Sequence, residues 1–578
     1  MRIQHVRTPR GALTVLAVSG LLVSPIVVVP APAAAPCTAP PATFPTSQMR
    51  PGMVGTGYTV IDGRTIVPFS VEILGVMPDA IFLGVDIVAA RITGPSSFLN
   101  VTGGAVAGMS GSPVYIDGRL AGAVAWAIAE DRRIFGMTAA EDMVGLLTLP
   151  GSVPARASTS VPLTPKVRRA ASATGSELPA GARLEALPVP LGVSGLSGRV
   201  LADLESAFAE RGVRVQAFRA GSVRAPTAVT LNTARFAPGD GLGVALSYGD
   251  VSAYGFGTTT AVCGDLALGF GHPMFWGTGR VSLGMNAVDV IAIDNGRFWG
   301  TKIGTLGDAH GTLTQDRFAG VVGVFGALPT LVPLTSEVSS PDTGYRRSGR
   351  TDVAWDQGWF VAEATFAHAW SNLTYVAQQD APGTLFLSWT IEGTRADGSP
   401  WRVSNRFMEV NDYGAAGEAW RLADVLYALA FNGFERVRFT SVSMEGSITQ
   451  EDLTSRIVRV RVSTPVQRAL RERPVVKARP GDRVTIEVTL DPVERETNVT
   501  ARLTLRVPRW VRGSERVRLS GGRGGIGTWG GSLDELLANL SAGEARNDLI
   551  VTGLGRRIVQ AQDVIVTGRA GFRVKVVR

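Results

Sequence analysis

Gly108-Met109-Ser110-Gly111-Ser112-Pro113 runs directly into Val114-Tyr115-Ile116-Asp117-Gly118-Arg119-Leu120-Ala121-Gly122-Ala123-Val124-Ala125-Trp126. A serine beside glycine in a tight turn can expose its hydroxyl, and bare backbone amides around it can point at a developing oxyanion. The short strand, Asp117-Gly118 hairpin and second strand that follow would hold such a turn rigidly. Ser110 is the candidate nucleophile, with the amides of Gly108 and Ser110 as the candidate oxyanion hole. The competing reading is a glycine-rich β-turn with an inert serine, and the hexapeptide alone leaves both open.

Outward from this stretch, the composition favours many short strands. The 578 residues include 69 Gly and 33 Pro, with 45% apolar, 18% charged and only 7% aromatic side chains, which suits turns and strands better than long helices. A Pro/Ala-rich tail (34–48) leads into a serine-bearing β unit (49–150). Residues 151–185 have the Ser, Pro, Ala and Arg content of a linker, and 186–235 read as a helical connection around Leu201 to Arg211. A second strand-rich unit (236–335) opens at Pro238-Gly239-Asp240 and ends at a polar, turn-rich boundary, Ser336 to Arg350. A β-rich domain (351–465), a β-sandwich-like domain (466–520) and a basic C-terminal region (521–578) follow. In the last of these, Ser532 and Glu535 have capping-box spacing ahead of a helix to Leu540.

A nucleophilic serine needs a base, and the chain has only four histidines, His5, His272, His310 and His368. His272 stands out because it ends the apolar stretch Leu266-Ala267-Leu268-Gly269-Phe270-Gly271-His272-Pro273 in a glycine-rich loop, where barrels mount their active sites. The sequence around His310, Asp308-Ala309-His310-Gly311, reads as a polar turn, and His368 stands between two alanines.

Arg2, Arg7 and Arg10 precede an apolar run from Ala12 to Val29 and the small residues Ala31-Pro32-Ala33. This is the pattern of a cleaved export signal over residues 1–33, with no later transmembrane segment. The mature chain is then expected to be secreted or in the cell envelope, where Cys37 and Cys263, the only cysteines, can pair. Two free thiols are the alternative. The net charge of +8 is carried wholly by residues 501–578, with 14 basic and 6 acidic side chains (14 − 6 = 8). Such a region could meet an anionic cell-envelope polymer, or be simply a solvated face. It lacks the interleaved aromatics of a nucleic-acid surface. No His-Glu-x-x-His, clustered Cys/His or P-loop is present, so neither metal nor cofactor is expected.

The hexapeptide resembles the Gly-Asp-Ser-Gly-Gly-Pro signature of chymotrypsin-like peptidases, and three stretches together resemble the SpoIVB-type serine peptidases, named for stage IV sporulation protein B. The first is Gly52-Met53-Val54-Gly55-Thr56-Gly57-Tyr58-Thr59-Val60 with Phe69-Ser70-Val71-Glu72-Ile73-Leu74-Gly75-Val76. The second is the Ser110 hexapeptide with Gly136-Met137-Thr138-Ala139-Ala140-Glu141-Asp142-Met143. The third is Phe270-Gly271-His272-Pro273 with Gly311-Thr312-Leu313-Thr314 and Gly320-Val321-Val322-Gly323-Val324-Phe325-Gly326. The resemblance implies a mainly β chain whose trypsin-like double β-barrel carries Ser110 as nucleophile and His272 as general base. Two features depart from the family. Ser110 precedes His272 by 272 − 110 = 162 residues, a permuted order with no PDZ-like segment. The stretch where the family places its acid reads Thr93-Gly94-Pro95-Ser96-Ser97, which leaves Asp86, Asp289 and Asp294 as candidates. Catalytic groups need geometry rather than chain order, and loss of the acid lowers a rate without abolishing it. The expectation is therefore a secreted serine endopeptidase that cleaves a protein substrate through a Ser-His acyl-enzyme. The alternative is a non-catalytic cell-envelope binding protein on a peptidase-like scaffold.

Overall fold

The computed structural model describes residues 37–149, 159–196, 198–275, 279–296, 299–525, 527 and 530–577. The expected export signal (1–33) lies outside them. In the serine-bearing half, β1 (Val54–Val60), β2 (Ile66–Phe82) and β3 (Val85–Gly94) form an antiparallel meander. Helix α1 (Ser96–Thr102) then leads to the Ser110 turn, and β4 (Pro113–Ile116), β5 (Arg119–Ala127) and β6 (Ile134–Ala139) follow it. Hydrogen bonds run in the order β4-β1-β2-β3-β6-β5, and β5 pairs back with β4, closing a six-stranded barrel. Alternate residues point inward, and Phe69, Val71, Ile73, Val88, Ala90, Val124 and Phe135 fill its core. Helix α2 (Ala140–Gly145) ends the unit.

The tail and the expected linker are more structured than their composition suggests. Within the tail, the Phe44 N–H donates to the Leu120 carbonyl at 2.7 Å and the Leu120 N–H to that of Ala42 at 2.9 Å, which seats this segment on β5. Within 151–185, β7 (Ser160–Pro162), α3 (Pro165–Ala173) and β8 (Arg183–Ala186) are folded, and β8 extends the sheet by pairing with β5. The Ser/Ala/Arg composition hides an amphipathic helix. Val167 and Ala171, four apart, pack with Leu74, Met77 and Leu184, while Thr164 caps the helix through the Val167 N–H.

The histidine-bearing half begins with β9 (Val189–Val193), α4 (Gly198–Glu210) and β10 (Val215–Arg219), a parallel pair with a helical crossover, so the expected helical connection is only partly helical. Next come β11 (Gly241–Gly249), β12 (Ala253–Cys263), β13 (Leu266–Gly269), β14 (Gly279–Asp294), β15 (Thr301–Arg317) and β16 (Gly320–Phe325). Their pairings β12-β13-β16-β15-β14-β11 return to β12 and close a second six-stranded ring. The fold is a double β-barrel of trypsin-like kind.

The expected boundary at Ser336 to Arg350 is no boundary. Strands β17 (Val332–Ser339) and β18 (Arg346–Val353) form a hairpin there, and β18 pairs with β11, so the sheet runs on unbroken. Its polar look comes from alternation, one face covered by α5 (Gly358–Ala377) and the other half-exposed. Strand β19 (Gly383–Thr394), β20 (Pro400–Asn411), helix α6 (Trp420–Ala430) and β21 (Arg438–Thr449) complete a sheet of 13 strands.

The last part is a two-sheet sandwich built from β22 (Thr454–Ser463), β23 (Val475–Ala478), β24 (Arg483–Pro492), β25 (Val499–Arg506), β26 (Ser514–Gly521), β27 (Asp548–Gly553), β28 (Arg556–Ala561), β29 (Ile565–Thr567) and β30 (Arg569–Val576). Its sheets, β25-β24-β22-β29 and β23-β30-β26-β27-β28, share one core from Ile457 to Val574. The sandwich thus reaches beyond 466–520 at both ends. Basic residues of 521–578 take outward positions on its strands: on β30, Arg569 and Arg573 face solvent while Phe572 and Val574 are buried. The expected helix is α7 (Leu533–Ala542), its N-cap Ser532 Oγ accepting the Glu535 N–H at 3.2 Å.

Candidate active site

The Ser110 turn sits where the two barrels meet. Gly108 and Gly111 have φ of +92° and +97°, a region that a side chain rarely adopts. A Cβ on Gly111 would also lie 1.9 Å from the Thr258 carbonyl oxygen, so the second barrel approaches too closely for any other residue. Strand β12 clasps the turn. The Thr258 N–H donates to the Ser110 carbonyl (2.7 Å), the Thr258 hydroxyl to that of Gly108 (3.0 Å) and the Thr260 hydroxyl to that of Gly111 (2.7 Å).

Within the turn, the Met109, Gly111 and Ser112 amides donate to the carbonyls of Val106, Val124 and Met109. Those of Gly108 and Ser110 donate to no acceptor among the described residues. Amides without an acceptor beside a serine hydroxyl are the kind of donor an oxyanion requires.

His272 reaches the turn from the loop after β13. Its Nε2 lies 2.8 Å from Ser110 Oγ, and its Nδ1 lies 2.8 Å from the Pro273 carbonyl oxygen. A carbonyl can only accept, so Nδ1 carries the proton and Nε2 presents its lone pair to the serine hydroxyl. Burial holds the imidazole pKa down at about 4, with the Pro273 carbonyl raising it and Arg214 lowering it to lesser extents. The imidazole is therefore neutral across the neutral pH range. Both groups are enclosed, Ser110 being 2% and His272 0% exposed.

The loop is fixed by a residue the sequence did not single out. Asp316, buried on β15, accepts the Met274 N–H with Oδ1 and the Phe275 N–H with Oδ2, each at 2.8 Å. It follows Gly311-Thr312-Leu313-Thr314 by two residues, but nothing in the local sequence marks its partners 41 and 42 positions away.

Asp86, the first candidate for the orienting acid, is occupied at the β2–β3 hairpin. Its Oδ1 accepts the Asp79 N–H and its own N–H donates to Asp142 Oδ2, both at 2.9 Å. Asp289 pairs with Arg64, and Asp294 accepts the Gly296 N–H. The Pro273 carbonyl takes the place expected for a carboxylate, which the backbone can supply without sequence signature.

The other serines and histidines separate clearly. Ser112 Oγ donates to Thr59 Oγ1 (2.9 Å), a threonine of the first barrel and not a histidine. His310 Nδ1 lies 2.8 Å from the Ala234 carbonyl. His368 makes a second serine contact, Nε2 to Ser336 Oγ at 2.9 Å, with Thr351 Oγ1 on Nδ1. Ser336, however, lies mid-strand in β17, whose backbone pairs with β18 and β21, so no free amides surround it. Among the described residues no group of three or more His, Cys, Asp or Glu side chains is arranged to hold a metal ion. Nor is any described helix long and apolar enough to cross a membrane.

Residues 45–144 match the family model of the SpoIVB peptidase S55. This stretch is a SpoIVB-type peptidase segment. The chain is accordingly a serine peptidase, a hydrolase acting on protein. Neither a curated protein nor a solved structure matches the chain. The SpoIVB match covers the serine barrel and ends before His272, so the histidine half enters through geometry alone. Cys37 and Cys263, 226 residues apart, are joined in a disulfide that links the tail on β5 to the end of β12.

Proposed function

We propose that this peptidase cleaves protein substrates through an acyl-enzyme formed on Ser110, with His272 as general base. The 2.8 Å contact between His272 Nε2 and Ser110 Oγ carries this reading. Nε2 takes the hydroxyl proton as Oγ attacks the scissile carbonyl. The Gly108 and Ser110 amides receive the oxyanion, and the imidazolium returns the proton to the leaving amine. Water, activated by the same nitrogen, then releases the acid. The Pro273 carbonyl fixes the tautomer, Asp316 holds the loop, and a Ser-His dyad suffices at a reduced rate.

The leader-like N-terminus and the disulfide support action outside the cytoplasmic membrane. The arginines on the outer face of the sandwich suit an anionic envelope polymer, which salt-sensitive retention on a wall preparation would test.

A fluorophosphonate probe tests the mechanism. Wild type should be labelled on Ser110, and Ser110→Ala and His272→Ala should not. Ser112→Ala, His310→Ala and His368→Ala should be labelled. An unlabelled wild type would favour the non-catalytic binding protein instead.

A further inference from the structure

Behind the Ser110 turn lies a lysine without a counter-charge among the described residues. Lys302, on β15, is 2% exposed, and its only side-chain hydrogen bond among the described residues is from Nζ to Thr59 Oγ1 at 2.9 Å. No described carboxylate pairs with it, and burial alone pulls its pKa down, to about 7. An unpaired buried ammonium costs stability. The chain also has four lysines among its 57 basic residues, so arginine is its habitual cation. A compact ammonium suits one hydroxyl, whereas a guanidinium would bring five donors.

Its neighbours are the parts of the turn that matter. The Lys302 N–H donates to the Ala107 carbonyl at 3.0 Å, the same peptide unit whose other end is the Gly108 N–H. The lysine methylenes lie against Gly108, where a Cβ would come within 3.0–3.2 Å of Cδ, Cβ and Cγ. Thr59 Oγ1, which receives the ammonium, also receives the Ser112 hydroxyl, and Ser112 Oγ is 3.3 Å from Thr258 Oγ1, the group that holds the Gly108 carbonyl. Lys302 therefore touches the turn at its entry and, through Thr59, at its exit, joining both barrels beneath it.

We propose that Lys302 is a positioning residue of the peptidase, its ammonium anchoring the floor of the Ser110 turn through Thr59 so that the amides of Gly108 and Ser110 stay set for the oxyanion. A charge-assisted bond is stronger and better directed than one between hydroxyls, and a positive charge beneath the turn favours the negative charge that forms above it. The proposal rests on Ser110 being the nucleophile.

The experiment compares fluorophosphonate labelling rate and melting temperature in the full chain for wild type, Lys302→Met and Thr59→Val. Lys302→Met keeps the volume and discards the charge. It should melt higher yet be labelled at least about tenfold more slowly, a fraction of the loss for a deleted oxyanion donor. Thr59→Val strands the ammonium and should both melt lower and label slowly. Labelling of Lys302→Met at the wild-type rate would overturn the proposal, as would a lower melting temperature, which would make the ammonium structural. Wild-type labelling of Thr59→Val would remove the route through Thr59. A wild type labelled no better than Ser110→Ala instead sinks the nucleophile assignment, and the proposal with it.

Discussion

At the scale of single residues, His272 shows how burial would set the working range of the proposed base. Burial holds its folded pKa at about 4, against about 6.5 for a free imidazole. Labelling of Ser110 should thus hold constant from neutral pH downward and fall only as pH approaches about 4, well below an ordinary histidine limb. The same shift acts on stability. The unfolded chain binds the proton near pH 6.5 and the folded chain only near 4, so the stability is full above 6.5 and is lost as pH falls through that window. One histidine accounts for about 3 kcal/mol at the lower end. His368, likewise held at about 4 by burial, acts in the same sense. The melting temperature should drop between pH 6.5 and 4, and His272→Ala should flatten that drop by one proton's worth. An unchanged slope in the variant would refute the shift.

At the scale of elements, the site is a loop and a turn held by strands of different barrels, and the prediction here concerns Asp316. Two charge-assisted bonds fix Met274 and Phe275 just after the base. Asp316→Ala removes both acceptors from buried N–H groups, at about 1–3 kcal/mol each. The His272 loop should then wander, with labelling slowed by tenfold or more and the melting temperature lowered. Normal labelling would mean that the loop keeps its geometry unaided. This element scale also marks where the sequence stops being informative. The Ser110 turn and His272 were legible because a positive φ demands glycine locally and because histidine is scarce. Asp316, Thr258 and Lys302 were not, since their partners stand tens to hundreds of residues away. The 336–350 boundary failed for a similar reason: a half-exposed hairpin has the composition of a loop, and only its pairing with β11 reveals a strand. In the stretch read as a linker, Val167 and Ala171 have helical spacing, but two apolar residues in a Ser/Ala/Arg-rich run do not distinguish a short helix from a linker.

At the scale of the whole molecule, the serine-bearing barrel precedes the histidine-bearing one in the chain, and the disulfide bears on how the two are kept together. The described tail lies on β5 through Phe44 and Ala42, and Cys37 at its start is bonded to Cys263 at the end of β12. Strand β12 is also the one that clasps the Ser110 turn through Thr258 and Thr260. The bridge therefore reinforces an interface already closed by hydrogen bonds, and its effect should fall on the unfolded chain more than on the site. Closing a loop of 226 residues contributes about 5 kcal/mol in the chain-entropy model. Cys37→Ser with Cys263→Ser should accordingly lower the melting temperature markedly while leaving fluorophosphonate labelling at 25 °C near the wild-type rate. The two readouts would have to move together for the alternative, in which the bridge itself positions β12 against the nucleophile. Scanning calorimetry and labelling of the same double-serine sample separate the cases, because a loss of labelling before any unfolding is detected can only arise at the barrel interface.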